Sequence, residues 1–199
     1  MDPAAEDNAS IRFAAWHGHV EVVALLLRDQ RVDPAAEDNA SIRFAASKGH
    51  VEVVVLLLKD QRVDPAAADH CVIRNAAREG HVKVVELLLA DSRVNPAAQD
   101  NFAIQYAALE GHVEVVALLL AKPRVNPAAK NNLALQYAAR EGNVKVVELL
   151  LADSRVDPAA ADHVALRWAR QNDHVKVVEL LLAASHVDRR TQNNDAAVR

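Results

Sequence analysis

The stretch that decides the fold is Val125–Arg155, VNPAAKNNLALQYAAREGNVKVVELLLADSR. It recurs along the whole chain. The proline of its opening Asp/Asn-Pro step falls at Pro3, Pro34, Pro65, Pro96, Pro127 and Pro158, each 31 residues after the last (34 − 3, 65 − 34, and so on). A fixed period of this size is the signature of a solenoid, in which no single unit can bury its own apolar face. Six full repeats follow (1–31, 32–62, 63–93, 94–124, 125–155, 156–186), with a partial seventh at 187–199. They form a single domain, 1–199, on this reading.

With positions numbered 1 to 31 within a repeat, position 2 is Asp or Asn and position 3 is Pro. That pair is a helix N-cap with proline at the first helical position, so a single helical turn is expected over Asp/Asn-Pro-Ala-Ala. Positions 7 and 8 (Asp/Asn, then Asn/His) form a second expected cap. His70 and His163 take Asn's place in it. Helix A then covers about positions 9–16, as in Leu133–Arg140. Gly18, Gly49, Gly80, Gly111 and Gly142 stand at position 18, where a helix end in the left-handed region costs glycine little. Helix B covers about positions 20–28, as in Val144–Ala152. Its V-x-V-V-x-L-L-L pattern demands burial around most of the circumference. Short connections make the two helices antiparallel neighbours. The fold class is an all-α solenoid of stacked antiparallel helix pairs.

Composition narrows the function. A net charge of −4 argues against a general nucleic-acid binder, which needs a clustered basic surface. A single cysteine, Cys71, permits no internal disulfide and favours an intracellular, cytoplasmic setting. MDPAAEDNAS lacks the basic and apolar segments of a signal peptide, and no apolar run reaches the 18 residues of a membrane span.

The run Ala107-Ala108-Leu109-Glu110-Gly111-His112-Val113-Glu114-Val115-Val116-Ala117-Leu118-Leu119-Leu120 resembles the core of the ankyrin repeat. The resemblance covers all six full repeats. Repeat six drifts from it at Arg170, in place of Ala, and Asp173, in place of Gly, and all repeats depart from the common form in the segment that carries the hairpin. The period is two residues short of the common 33, the T-P-L-H signature is replaced by sequences such as Leu133-Ala134-Leu135-Gln136, and G-A-D-V-N becomes S-R-V-D/N-P. The projecting β-hairpin of ankyrin repeats is therefore expected to be replaced by a helical turn, with little or no β-structure. The resemblance implies a non-catalytic scaffold without cofactor or metal that binds another protein on the concave face of helix A and the loops. It also implies that the position-19 histidines bond backbone in the inter-helix turn.

The six repeats can be compared with one another. Positions 5, 14, 20, 22, 23 and 25–27 never vary and read as core. Positions 9, 13, 16 and 17 vary most informatively, and their i, i+4, i+7, i+8 spacing puts them on one helix face. All seven aromatic residues fall there. The candidate partner-binding residues are Phe13, Trp16, Phe44, Arg78, Phe102, Tyr106, Leu109, Tyr137, Arg140 and Trp168. Two readings stay open: aromatic hot spots of a partner groove, or side chains packing between repeats at position 13. Trp16, Arg78, Leu109 and Arg140, at position 16, are favoured for contact.

Histidines at position 19 (His19, His50, His81, His112, His174) lie about one helix-packing distance, roughly 10 Å, from one another. That is too far to share a zinc ion bound at about 2 Å. Arg31, Arg62, Arg93, Arg124 and Arg155 are expected to pair with Asp at positions 2 and 7, and Glu52, Lys83, Glu114 and Lys145 with one another across repeats. Cys71 reads as a small packing residue.

The C-terminal remnant Val187–Arg199 reads as a cap, since solenoid ends need polar closure. Repeat one does not: it differs from repeat two only at Met1/Val32, Trp16/Ser47, His17/Lys48, Ala24/Val55 and Arg28/Lys59. Such near-identity fits a recent duplication, a truncation or a designed array. An alternative function follows, a structural or engineered repeat protein with no dedicated ligand, self-associating through its ends.

Overall fold

The computed structural model describes residues 3–185. Eleven helices run α1 (Ala5–His17), α2 (Val20–Leu27), α3 (Ala36–Lys48), α4 (Val51–Lys59), α5 (Ala67–Arg78), α6 (Val82–Ala90), α7 (Ala98–Leu109), α8 (Val113–Leu120), α9 (Ala129–Glu141), α10 (Val144–Leu151) and α11 (Ala160–Gln171). A twelfth, α12, spans 175–185. No strand occurs among the described residues, so the expected loss of the hairpin is seen. The remnant 187–199, expected as a cap, lies outside them.

The chain forms two compact bodies, residues 1–99 and 100–199. In the first, α1 packs on α3 and α3 on α5, while α2 packs on α4 and α4 on α6. In the second, α9 packs on α11, α8 on α10, and α9 and α10 pair as antiparallel neighbours. Core and pattern agree. Helix B buries Val53, Val54 and Leu57 in repeat two and Val146, Val147 and Leu150 in repeat five. Helix A answers with Ile42, Ala45 and Ala46, or Leu135, Ala138 and Ala139. The paired alanines let the helix backbones approach closely, which is why the aromatic content can be so low.

The opening turn forms as the Asp/Asn-Pro step requires. Asp33 Oδ1 accepts from Ala35 N–H at 2.9 Å, and Asp64 and Asp157 repeat this toward Ala66 and Ala159 at 2.8 Å. Proline fits because its missing N–H would have found no partner there.

The second expected cap does not form. Positions 6–8 adopt left-handed backbone: Glu37, Asp38 and Asn39 have φ of 54°, 53° and 60°, and the same three positions are left-handed in every repeat. Asn and Asp tolerate this region best among non-glycine residues. The single turn and helix A are thus joined by a left-handed kink, and the position-8 side chain points out of its own repeat. Asn39 Oδ1 accepts the N–H of Asp64 at 2.7 Å, Asn132 Oδ1 that of Asp157 at 3.0 Å, and His70 Nδ1 that of Asn95 at 3.1 Å. These are locks between repeats rather than helix caps. His163 is their counterpart in repeat six, and the residue it would face, Asp188, lies outside the described residues.

Position 12 holds the kink from the other side. Arg43 Nη2 donates to the Glu37 carbonyl at 2.9 Å, and Gln105 and Gln136 Nε2 donate to the Asp100 and Asn131 carbonyls at 2.6 and 2.7 Å. A long side chain with a terminal N–H donor stands at this position in all six repeats (Arg12, Arg43, Arg74, Gln105, Gln136, Arg167).

Candidate partner-binding face

Helix A ends in a left-handed glycine, and the chain turns into helix B through position 19. His50 Nε2 donates to the Trp16 carbonyl at 2.9 Å, His81 to Ser47 at 3.0 Å and His174 to Arg140 at 2.9 Å. Asn143 does the same work with its amide, donating to the Ala108 and Leu109 carbonyls at 2.9 Å. The histidines do bond backbone, but that of the preceding repeat, so they fix one helix A against the next helix pair. No cluster of three or more His, Cys, Asp or Glu able to hold a metal occurs among the described residues.

The position-31 arginines take a different partner from the one expected. Arg62, Arg93 and Arg155 pair with Asp60, Asp91 and Asp153, two residues earlier, at 2.6 Å, and not with the aspartates of positions 2 and 7. The short i, i+2 span lets backbone and guanidinium both donate to one carboxylate. The remaining guanidinium N–H reaches the preceding chain: Arg62 Nη1 donates to the Val32 carbonyl at 2.8 Å and Nη2 to that of Leu27 at 3.1 Å. The arginine side-chain hydrogen bond holds Asp60, Asp91 and Asp153 below the usual carboxylate range. Asp29, paired with Arg31, falls to about 2. The lateral pairing expected at position 21 is not formed within either body among the described residues; Lys176 pairs instead with Glu179 of its own helix at 3.4 Å.

With turns and rims fixed, the outward face of helix A is set. In the first body, Phe13 is 67% exposed and Trp16 40%. Phe44 of the next repeat, half-buried, meets Trp16 edge-on at 5.0 Å, and Lys48 Nζ sits 4.3 Å above the indole. Phe13 stacks on His17 at 6.2 Å. Arg12, Phe13, Trp16, His17 and Phe44 line a cleft of about 440 Å³. Arg78 is exposed and paired with Glu79 at 2.8 Å.

In the second body, Phe102 and Tyr106 are half-buried and touch at 5.6 Å. Leu109 is half-buried. The Arg140 guanidinium lies 5.2 Å from the Tyr137 ring and 5.7 Å from that of Trp168, while pairing with Glu141 at 2.7 Å. Position 13 of one repeat therefore contacts position 16 of the repeat before it, as Phe44 on Trp16 and Trp168 against Arg140. At position 9, Ala40 and Cys71 are buried, while Phe102, Leu133 and Val164 are half-buried. Sequence reasoning took position 8 for a helix cap and missed position 12. Their signal was an unbroken run of hydrogen-bonding side chains at both, in a helix with no need of them.

Comparison with known proteins now bears on this geometry. A family model described as ankyrin repeats matches in three copies, over residues 11–100, 73–162 and 125–193. The chain belongs to the ankyrin-repeat family. A crystal structure of an ankyrin repeat domain from Acinetobacter baumannii superposes with a TM-score of 0.70 at 23% identity, covering 89% of this ankyrin-repeat chain and 98% of that one. At that identity the likeness shows the fold alone. No curated protein matches the chain. Ankyrin repeats are in general protein–protein interaction modules and non-catalytic scaffolds. No helix among the described residues is long and apolar enough to cross a membrane.

Proposed function

We propose that this ankyrin-repeat chain is a non-catalytic scaffold that binds another protein through the outward face of helix A, with neither cofactor nor metal. The observation that carries the reading is the exposure of Phe13 and Trp16 beside an apolar cleft of about 440 Å³. Exposed aromatics next to a cavity are what partner anchors require, because a large rigid side chain gains much contact for little lost rotamer entropy. Cationic groups flank the cleft (Arg12, Lys48), so an anchor carried on an acidic segment is favoured. The second body offers a separate patch, built on Phe102, Tyr106, Leu109, Tyr137, Arg140 and Trp168. The lone thiol, Cys71, buried and unpaired, supports a reducing, cytoplasmic setting.

Affinity capture with the full chain and with the Trp16→Ala/Leu109→Ala/Arg140→Glu variant tests this. A protein held by the wild type and lost by the variant, at equal helicity by circular dichroism, supports it. No captured protein at all supports the alternative of an array without a dedicated ligand, which the near-identity of repeats one and two favours.

A further inference from the structure

Position 8 is Asn in repeats one, two, four and five and His in repeats three and six. Within the first body both residue types lock one repeat to the next by accepting a backbone N–H, Asn39 from Asp64 at 2.7 Å and His70 from Asn95 at 3.1 Å. A proton affects the two differently. An amide oxygen remains an acceptor at any ordinary pH. A neutral imidazole has one acceptor nitrogen, and protonation turns it into a donor. His70 commits that nitrogen, Nδ1, to the Asn95 N–H, so its lock holds only while the ring is neutral.

We propose that His70 is a proton-sensitive lock, which releases the opening turn of repeat four (Asn95, Pro96, Ala97) from repeat three when the ring takes up a proton, while the asparagine locks hold. Imidazole is the side chain that ordinarily changes charge between about pH 5 and 8. A charged ring would set Nδ1–H against the Asn95 N–H, two donors face to face, so the turn has to move away. The position-19 histidines are arranged the other way. His50 and His81 donate through Nε2 to carbonyls, and a protonated ring still donates. The residue opposite His70 adds to the contrast: Asn95 stands where repeats two, three and six have Asp33, Asp64 and Asp157, so no carboxylate at that position answers a charged ring.

Other charged groups lie on the segments packed around the ring. In its own repeat, Asp64 Oδ1 accepts from Ala66 N–H, Asp69 is exposed and Arg74 Nη2 donates to the Ala68 carbonyl. On α3, Glu37 and Asp38 are exposed and Arg43 Nη2 donates to the Glu37 carbonyl. On α6, Lys83 and Glu86 are exposed. In the loop that leads to Asn95, Arg93 is held by Asp91 and by the Val63 and Leu58 carbonyls. The carboxylates among them favour the charged ring, which promotes release; none restores an acceptor at Nδ1.

The chain has nine histidines, so a global melt would mix their titrations, whereas a single amide reports one lock. Amide hydrogen exchange of the full chain, followed residue by residue by NMR and corrected for the intrinsic rate at each pH, tests the proposal. Between about pH 7.5 and about pH 5.5, protection of the Asn95 N–H should fall about tenfold, as for the loss of one hydrogen bond. Protection of the Asp64 N–H, held by Asn39, should change less than about twofold. His70→Asn should make the Asn95 N–H as insensitive as that of Asp64, and Asn39→His should bring the same fall to the Asp64 N–H. The wild-type comparison and Asn39→His decide the matter even where His70→Asn folds poorly. Unchanged Asn95 protection in the wild type, an equal fall in His70→Asn, or an insensitive Asp64 N–H in folded Asn39→His overturns it. None of these readouts involves the helix-A cleft, so the proposal fails or stands separately from the binding function.

Discussion

The His50 imidazole occupies the space that a side chain on Gly18 would need. A Cβ there would lie 2.6 Å from Nδ1, while Nε2 of the same ring donates to the Trp16 carbonyl at 2.9 Å. Gly49 and His81 repeat the arrangement. Glycine is thus demanded twice, by φ of 74° at Gly49 and by the neighbour's ring. Gly49→Ala should cost about 2–4 kcal/mol, left-handed strain and overpacking together. Removing the ring in Gly49→Ala/His81→Ala should return part of it, giving a coupling above about 0.5 kcal/mol in a double-mutant cycle by urea denaturation. Additive losses would mean that the two residues do not meet.

Ala68 and Ala161 hold φ of 49° and 50° in the kink. In a right-handed helix, Ala→Gly costs about 1 kcal/mol. In the left-handed region alanine itself carries about 1–2 kcal/mol of strain that glycine lacks. Ala68→Gly and Ala161→Gly should therefore leave the melting temperature unchanged or raise it. A drop of several degrees in either would place a right-handed turn there instead.

Asn39 is 7% exposed and accepts the Asp64 N–H. Asn39→Ala should cost about 1–3 kcal/mol, because a partly buried donor is left unpaired. Asn39→His should cost less, since His70 fills the same role one repeat on. Equal losses for the two substitutions would remove the hydrogen bond as the cause.

Asp29, Asp60, Asp91 and Asp153 are held below their ordinary 3.8 chiefly by the side-chain hydrogen bond from the arginine two residues on. A carboxylate depressed in the folded state contributes stability above the unfolded value and loses it as pH falls through the folded one. Stability should decline from about pH 4 down to about 2, the value reached by Asp29. Asp60→Asn/Asp91→Asn should flatten that decline. An unchanged slope in acid titrations followed by circular dichroism would contradict the pairing.

Helix pairs, turn glycines and core positions were legible in the sequence because they follow from period and burial, which recur from repeat to repeat. Val53, Val54 and Leu57 need no coordinates to be placed inside. The kink at positions 6–8 was not legible. Asp-Asn before a helix reads equally as a cap, and only the position of the next repeat shows that Asn39 serves Asp64. Arginine at position 31 misled in the same way: several carboxylates lie within reach of a long side chain, and sequence alone does not rank them. For the candidate face, sequence separated the variable positions from the fixed ones. It did not show that Phe44 leans on Trp16 while Phe13 stands open, since that depends on which neighbour each ring has.

The central claim is that recognition belongs to the outward face of helix A. The most direct test is the affinity of a captured partner for three forms of the chain: wild type, Phe13→Ala/Trp16→Ala, and a control altered on the outer side of helix B, Glu52→Ala/Lys83→Ala. Calorimetric titration should show the helix-A variant at least tenfold weaker, about 1.4 kcal/mol, with the control indistinguishable from wild type. Equal affinities for wild type and the helix-A variant, or a loss confined to the helix-B control, would contradict it.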